Sequence, residues 1–326
     1  MEQMGQSQCI GQVNTNDESV IESGSRVIVW CAPRSISTAL LKCLSAVDGI
    51  EVWFEPFYRC LAIETPGTAI SRSIESGAVE KGDTHTKTCQ QLETFDANCS
   101  QEAKLSLSYS SVKHRLENST SRHVFVKDIS VAMTRVNFEH LPKGYRHTFL
   151  IRHPLRVFAS LRKAVTSSFS DLGLLRDSAR DEATFDIGRD HPLGDGSQMG
   201  VRETYELWKY VRENLESDPI VIDGDELLAN PAEVLSKYCE AADLPYDKSL
   251  LTWDASVAVL NKWIIVGDGS LEKLIPFYGR ALRSSHFSTP SEIPSRDHVT
   301  PDVIRCTDEV MKYYEEMYQC RLKLVT

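Results

Sequence analysis

Short apolar runs alternate with segments of helical periodicity along most of the chain. Each run is rich in β-branched or aromatic residues and is followed by polar ones. The predicted strands are Val27–Cys31, Glu51–Phe54, His123–Val126, Thr148–Ile151 and Pro219–Ile222. Runs that are apolar at every position are typical of parallel strands covered on both faces. We therefore predict an α/β fold, with a doubly wound, mainly parallel sheet, flanking helices, and ligands at the carboxyl ends of the strands.

Helical patterns follow several of these strands. After the first strand, apolar residues recur at helical spacing as far as Asp48: Leu40, Leu41, Leu44 and Val47. Pro154 suits the first turn of a second helix after the fourth strand. Asn230 is predicted to cap a third helix, with Glu233 reaching back to the cap. A final helix is expected after Thr300.

The remaining segments differ in composition from this core. Residues 1–24 are polar and are predicted to be a disordered leader, and residues 25–326 are predicted to form a single domain. Polar inserts near 60–120 and 167–200, with a Ser/Pro loop at 284–300, break the alternation. Inserts of this kind usually shape a substrate pocket or a lid.

The charge balance narrows the classes of partner. The chain has 326 residues, 41% of them hydrophobic, and a formal net charge of -10. That charge argues against broad binding to nucleic acid or to an anionic membrane. No stretch approaches the roughly 20 apolar residues of a membrane span, and the amino terminus does not resemble a signal peptide. A cytoplasmic protein is predicted.

The cysteines and histidines carry no metal-binding pattern. None of the nine cysteines forms a CxxC pair, and the nine histidines include no HExxH. Free, mostly buried thiols in a reducing compartment are the favoured interpretation, and a disulfide framework or a zinc site is the alternative. No metal site is predicted.

The loop after the first strand has the position of a P-loop without its GxxxxGK[ST] sequence. It holds one arginine and three hydroxyls, in the order Pro33, Arg34, Ser35, Ile36, Ser37 and Thr38. Free amides at a helix start and the Arg34 guanidinium favour a single phosphate or phosphosulfate over a magnesium triphosphate. The alternative is that Ser37 or Thr38 merely caps the helix and Arg34 is solvated.

A second candidate anion site lies at the end of the fourth strand. Arg152 leaves the strand where ligands bind, and Ser160 follows two turns into the next helix. Both side chains can reach one anion. A surface salt bridge beside a small helical residue is the alternative.

Together these segments resemble the sulfotransferases that use PAPS (3'-phosphoadenosine 5'-phosphosulfate). In that family a PRSGST loop binds the 5'-phosphosulfate and an RxPxxxxxS element binds the 3'-phosphate, which correspond here to residues 33–38 and to Arg152 with Ser160. Residues 223–246 resemble a third family segment. The resemblance covers about residues 26–290, and it implies the P-loop NTPase-like sulfotransferase fold with PAPS as co-substrate and PAP as product.

The departures from the family pattern select a branch. Ile36 replaces the usual glycine of the loop, and Lys127 stands without the histidine that cytosolic members carry two residues later. Glu55 after the second strand instead resembles the carbohydrate-type members, in which this glutamate is the base. The resemblance therefore implies Glu55 as catalytic base, with Arg34 and Lys127 at the phosphosulfate. The alternatives are a helix-capping or salt-bridged Glu55, and a Lys127 that is a partner for the neighbours of Asp128.

The resemblance further implies that His286 lies over the nucleotide, with His153 as a secondary contact. The acceptor is expected to be a small molecule with a hydroxyl or amine, with no nucleic acid or membrane partner, and the oligomeric state is open. Two other classes remain: a P-loop nucleotide kinase or hydrolase, and a catalytically silent nucleotide-binding relative.

Overall fold

The structure of the chain is a computed structural model that describes residues 24–64, 107–169, 175, 179, 181–191, 196–267 and 275–324. The leader predicted for residues 1–24 lies outside these ranges except for Gly24. Most of the insert predicted near 60–120 and parts of that near 167–200 also lie outside the described residues.

Six parallel strands form one sheet. The strands are β1 (Arg26–Cys31), β2 (Ile50–Phe54), β3 (His123–Ile129), β4 (Arg146–Ile151), β5 (Val221–Asp223) and β6 (Trp263–Ile264). Their order is β5-β4-β1-β3-β2-β6, and every pair is parallel. The predicted parallel α/β fold is confirmed, and β6 is a short edge strand that the apolar pattern did not predict.

Helices pack around this sheet. In the described ranges they are α1 (Ser37–Leu44), α2 (Pro56–Glu64), α3 (Tyr109–Glu117), α4 (Pro154–Ala164), α5 (Ile187–Asp190), α6 (Val201–Asn214), α7 (Gly224–Ala229), α8 (Pro231–Ala241), α9 (Ile275–Leu282) and α10 (Pro301–Gln319). The helix predicted from Pro154 and the final helix predicted after Thr300 are confirmed.

Both faces of the central strand β1 are buried. Val27 and Val29 belong to the core under α1 and α8, whereas Ile28 and Trp30 belong to the core on the opposite face, which includes Trp208 of α6. Successive strand residues point to opposite faces, so two covered faces require an apolar residue at each position. This explains the continuous apolar run in the sequence.

One helix boundary and one helix cap differ from prediction. Helix α1 ends at Leu44 rather than near Asp48, and both the N–H and the hydroxyl of Ser45 bond the Leu41 carbonyl oxygen, at 2.9 and 2.7 Å. Helix α8 starts as predicted, but Asn230 makes no side-chain cap hydrogen bond. Its Nδ2 instead donates to Glu233 Oε2 at 2.7 Å.

The strand register decides which side chains meet at the carboxyl edge of the sheet. β1 lies between β3 and β4. The strand order reverses beside β1, because β3 and β2 lie on one side of it and β4 and β5 lie on the other. Phe54 at the end of β2 pairs with Lys127 of β3, and Ile151 at the end of β4 pairs with Asp223 of β5. Crevices at such reversals of strand order are the usual ligand sites of open α/β sheets.

Candidate active site

The loop between β1 and α1 presents open backbone amides. Helix α1 starts after Ile36, and no side chain caps its first turn. Ser35, Ser37 and Thr38 are buried. The alternative in which Ser37 or Thr38 caps the helix is therefore wrong, and the first-turn N–H groups and the positive end of the helix dipole are available for an anion.

Backbone strain is concentrated beside this loop. Within the described ranges, four residues other than glycine have a positive φ: Arg34 (65°), Ile36 (71°), Glu55 (50°) and Asp243 (53°). A left-handed conformation costs about 1–2 kcal/mol for an L-residue and is rare for a β-branched side chain. Ile36 thus keeps a conformation that glycine adopts without this cost. Three of the four residues lie in the loops after β1 and β2, and strain of this kind clusters at functional sites.

One buried hydroxyl of the loop lacks a protein partner. Among the described residues, Ser35 Oγ is fully buried and forms no hydrogen bond. Leaving such a group unpaired costs about 1–3 kcal/mol, so it indicates a position for a ligand atom. Two glycines allow neighbouring helix starts to close over the loop. A Cβ on Gly200 would lie 2.9 Å from Pro33 Cδ, and one on Gly224 would lie 3.2 Å from the Ser35 carbonyl oxygen.

The two predicted anion-binding elements touch each other. Arg34 Nε donates to Ser160 Oγ at 3.0 Å, and Arg152 Nη1 donates to the Arg34 carbonyl oxygen at 3.0 Å. Arg34 Nη1 also donates to the Phe277 carbonyl oxygen at 2.9 Å. The loop after β1 and the start of α4 therefore form one continuous surface of donors.

Carboxylates hold the arginines of this surface in place. Asp225 Oδ1 lies 3.2 Å from Nε of both Arg152 and Arg156. Asp223 caps α7 by accepting the backbone N–H groups of Asp225 and Glu226 at 2.9 and 3.0 Å. Burial raises the pKa of Asp223 to about 6. Neither Arg156 nor Asp225 was predicted from the sequence as a site residue, although Asp225 lies in the segment 223–246 that resembles the family.

Glu55 and Lys127 form a buried ion pair on the other side of β1. The Glu55 N–H donates to the Lys127 carbonyl oxygen at 2.7 Å, and the Lys127 ammonium contacts Glu55 Oε1. Their side chains are 3% and 1% exposed. The Tyr278 hydroxyl also bonds Glu55, at 3.1 Å from Oε1 and 2.9 Å from Oε2. The salt-bridged alternative for Glu55 is thus observed, with Lys127 as the partner.

Asp128 is a structural support that sequence reasoning missed. Its buried carboxylate accepts the N–H groups of Phe57 at 2.6 Å, Tyr58 at 3.1 Å and Ile129 at 2.8 Å. It thereby caps the first turn of α2 and holds the turn that carries Glu55. Burial raises the pKa of Asp128 to about 7. The sequence does contain a signal for this role, because Asp128 stands near the carboxyl end of a predicted strand. In a parallel sheet, the helix that follows a neighbouring strand begins close to that end.

The side chains of the two predicted histidines form hydrogen bonds outside the loop after β1. His286 is exposed, its Nδ1 lies 3.1 Å from the Ser285 hydroxyl, and its backbone forms a bridge with Thr252. No contact recorded for the described residues joins it to the loop after β1. His153 Nδ1 accepts the Leu155 N–H at 3.3 Å and so caps α4. His153 directly follows Arg152, and the charges of Asp225 and Arg156 act on it. Contact of either histidine with the nucleotide stays a prediction.

The described residues contain neither a metal-binding cluster nor a membrane-spanning helix. There, no group of three or more His, Cys, Asp or Glu side chains is arranged to hold a metal ion. No helix in the same ranges has the length and apolar character needed to cross a bilayer. The described cysteines are free thiols, five of them buried and one exposed: Cys31, Cys43, Cys60, Cys239, Cys306 and Cys320.

Comparisons with known sequences give distant relatives. No family model matches the chain. It is 27% identical over 267 residues to the branched-chain-amino-acid aminotransferase-like protein 2 of Arabidopsis thaliana, a match covering 81% of this chain and 36% of that protein. The corresponding protein 1 is 26% identical over 267 residues, with 81% and 37% covered. The chain thus spans little more than a third of the length of these relatives.

Three solved structures are similar to the chain. A sulfotransferase domain from the curacin biosynthetic pathway is 15% identical with a TM-score of 0.40, covering 88% of this chain and 98% of its own. A sulfotransferase domain from the Synechococcus PCC 7002 olefin synthase is 16% identical with a TM-score of 0.40, covering 89% and 95%. Mouse sulfotransferase SULT7A1 complexed with PAP is 11% identical with a TM-score of 0.41, covering 92% and 87%. Identities of this size transfer no activity to the chain.

Proposed function

We propose that this chain is a sulfotransferase that transfers the sulfuryl group of PAPS to a hydroxyl or amine of a small-molecule acceptor. The observation that carries the proposal is the 3.0 Å hydrogen bond between Arg34 Nε and Ser160 Oγ. It joins the loop assigned to the 5'-phosphosulfate to the element assigned to the 3'-phosphate. A nucleotide with anionic groups at both ends of its ribose requires two anion sites this close together.

The residues present fit such a nucleotide. The uncapped start of α1 and the unpaired Ser35 hydroxyl offer hydrogen bonds to a phosphosulfate. Arg34, Arg152 and Arg156 gather positive charge in a protein whose net charge is -10. Local basic groups of this kind are what a ligand with several negative charges needs in an acidic protein. PAPS, when bound, supplies an activated sulfuryl group with PAP as its leaving group.

Residues of the chain bind the nucleotide and move the proton in this proposal. Arg34 and the loop amides hold the anion, and Arg152 with Ser160 orients the other end of the nucleotide. Glu55 accepts the proton of the acceptor, a role that commonly contributes about 100- to 10,000-fold to a rate. Lys127 lies against Glu55 and above the rings of Phe54 and Tyr278, at 5.1 and 5.8 Å from their centroids. Its ammonium is thus a fixed positive charge beside the base.

The name of the curated relatives suggests a competing activity. Aminotransferases bind pyridoxal phosphate through a lysine Schiff base, and Lys127 is a buried lysine near an anion-binding loop. However, the chain spans only 36% of the first relative's length, and the name of that protein does not say which part of its length is aminotransferase-like. Pyridoxal phosphate is therefore included as a control ligand in the test.

Calorimetry with PAP tests the proposal. We expect the parent to bind PAP, and Arg34→Ala and Arg152→Ala each to weaken binding at least about tenfold, because each removes a charged donor worth about 1.5–3 kcal/mol. The matched control is Arg202→Ala, since Arg202 is an exposed arginine paired with Glu206 on α6. It should leave PAP affinity unchanged.

Three results would contradict the proposal in different ways. Equal PAP affinity in the parent and both arginine variants would show that the site is wrongly assigned. Binding and turnover of ATP with magnesium, or a covalent pyridoxal phosphate adduct, would favour a different enzyme class. PAP binding without sulfuryl transfer to any of a panel of hydroxyl and amine acceptors would leave a silent nucleotide-binding protein.

A further inference from the structure

Tyr278 of α9 lies beside the proposed base and was not singled out by the sequence. Its hydroxyl contacts both carboxylate oxygens of Glu55, at 3.1 and 2.9 Å. Its ring packs edge-on against Phe54 and Phe277, each with centroids 5.2 Å apart. The hydroxyl is thus held against the carboxylate by a ring that is itself packed in place.

The hydroxyl acts as a donor in this contact. Burial raises the pKa of Tyr278 well above its usual value, and the nearby Glu55 charge raises it further. The phenol therefore keeps its proton, and that single proton is shared between the two carboxylate oxygens. The Tyr278 hydroxyl and the Lys127 ammonium, which contacts Oε1, together fix the orientation of the Glu55 carboxylate.

Both ends of helix α9 accept hydrogen bonds from the segment formed by the loop after β1 and helix α1. Near its start, the Phe277 carbonyl oxygen accepts from Arg34 Nη1 at 2.9 Å, and the guanidinium lies 5.0 Å from the Phe277 ring centroid. At its end, Lys42 of α1 donates to the carbonyl oxygens of Leu282 and of Ser284, the latter at 3.0 Å. Tyr278 is therefore carried by a helix whose position is set by the loop after β1 and by α1.

We propose that Tyr278 is a positioning residue for the base: its hydroxyl orients the Glu55 carboxylate relative to the phosphate-binding loop. The inference rests on the proposed function. Tyr278 acts through Glu55, and adjacent residues of one helix, Phe277 and Tyr278, connect Arg34 on the nucleotide side to Glu55 on the acceptor side.

The first test compares Tyr278→Phe with Tyr246→Phe. Both changes remove one hydroxyl and keep the ring. In the described part of the chain the Tyr246 hydroxyl donates to the Ala232 carbonyl oxygen of α8, at 3.1 Å, and not to Glu55. For Tyr278→Phe we expect kcat to fall about 10- to 100-fold, the size of effect of one hydrogen bond to a charged group, with the Kd for PAP unchanged. The acid limb of the pH–rate profile should move to higher pH, because a carboxylate that loses a donor holds its charge less readily.

A purely structural role would give a different pattern. Loss of activity in parallel with a lower melting temperature, and with an unchanged pH profile, would overturn the proposal. So would a kcat equal to that of the parent or of Tyr246→Phe.

A second measurement does not depend on turnover. The protein is labelled with 3-fluorotyrosine, and the Tyr278 signal is assigned among the eleven tyrosines by its absence in Tyr278→Phe. We expect Glu55→Gln to shift this 19F resonance and to leave that of Tyr246 in place. An unmoved Tyr278 resonance would overturn the contact. If the parent transfers no sulfuryl group, the proposed function fails, while this measurement still decides whether the hydroxyl is bonded to Glu55.

Discussion

Gly200 gives a direct test of how tightly the loop after β1 is packed. It precedes α6 with φ 79°, and a Cβ added to it would lie 2.9 Å from Pro33 Cδ and 3.1 Å from Ala32 Cα. These are ring and backbone atoms, which cannot rotate away as the end of a long side chain can. Gly49 is a matched control, because it also has a positive φ, 66°, but open space around the added Cβ.

The two substitutions share one cost and differ in another. Alanine in the left-handed region costs about 1–2 kcal/mol at either site, partly offset by about 0.4–1 kcal/mol from the less flexible unfolded chain. Only Gly200→Ala adds overpacking, typically about 1–3 kcal/mol. We therefore expect Gly200→Ala to be less stable than Gly49→Ala by about 1–3 kcal/mol. If the loop shifts to relieve the contact, PAP affinity falls instead, by about tenfold for each 1.4 kcal/mol.

Chemical denaturation and PAP calorimetry on the two variants measure both consequences. Gly200→Ala should be worse than Gly49→Ala in at least one of them. If the variants match in unfolding free energy and in PAP affinity, the close approach of α6 to the loop does not constrain the site, and the packing argument is refuted.

Three further predictions concern the buried polar groups. Glu55→Gln should keep its PAP affinity, lose at least about 100-fold in turnover and be destabilised by about 3–5 kcal/mol, because it leaves Lys127 buried without its partner; parental turnover would remove Glu55 as the base. Ser35→Ala should stabilise the ligand-free protein by up to about 1–3 kcal/mol, because it removes a buried hydroxyl that has no partner, yet weaken PAP in calorimetry several-fold; equal affinity would mean that no ligand atom reaches Ser35. Because burial raises the pKa of Asp128 to about 7, the folded parent binds a proton at Asp128 more tightly than the unfolded chain does. The stability of the parent should therefore fall as the pH rises from about 4 to about 7. In denaturation experiments over the same pH range, the unfolding free energy of Asp128→Asn should lack this decrease. Equal pH dependence in the parent and the variant would contradict the assignment to Asp128.

Much of the architecture was predictable because local patterns agree with the fold. The apolar run of β1 is buried on both faces, and Pro154 begins α4 as its fixed φ favours. Parallel topology then places the ends of these strands at one edge, which is why Arg34 and Arg152 could be expected near each other. Strand β6 is two residues long, too short to give a pattern of its own.

The candidate site was only partly predictable. The alternatives for Glu55 could not be separated from the sequence, because its pairing with Lys127 depends on the register of β2 against β3. Tyr278 approaches Glu55 across 223 positions of sequence, and no periodic pattern encodes such a contact. The assignment of His286 to the nucleotide stays a prediction, since its described neighbours are Ser285 and Thr252.

The amino-acid sequence by itself determined five of the six strands, the helices that follow β1 and β4, the arginine and hydroxyls of the loop after β1, and the arginine that follows β4. These follow from hydrophobic periodicity and from the conformations that residues such as proline favour locally. Only the tertiary structure decided that Ile36 adopts the glycine-like conformation, that Asp128 caps α2, and that Tyr278 meets Glu55. Each of these depends on packing between segments distant in sequence, where the energy of burial and hydrogen bonding outweighs local preference.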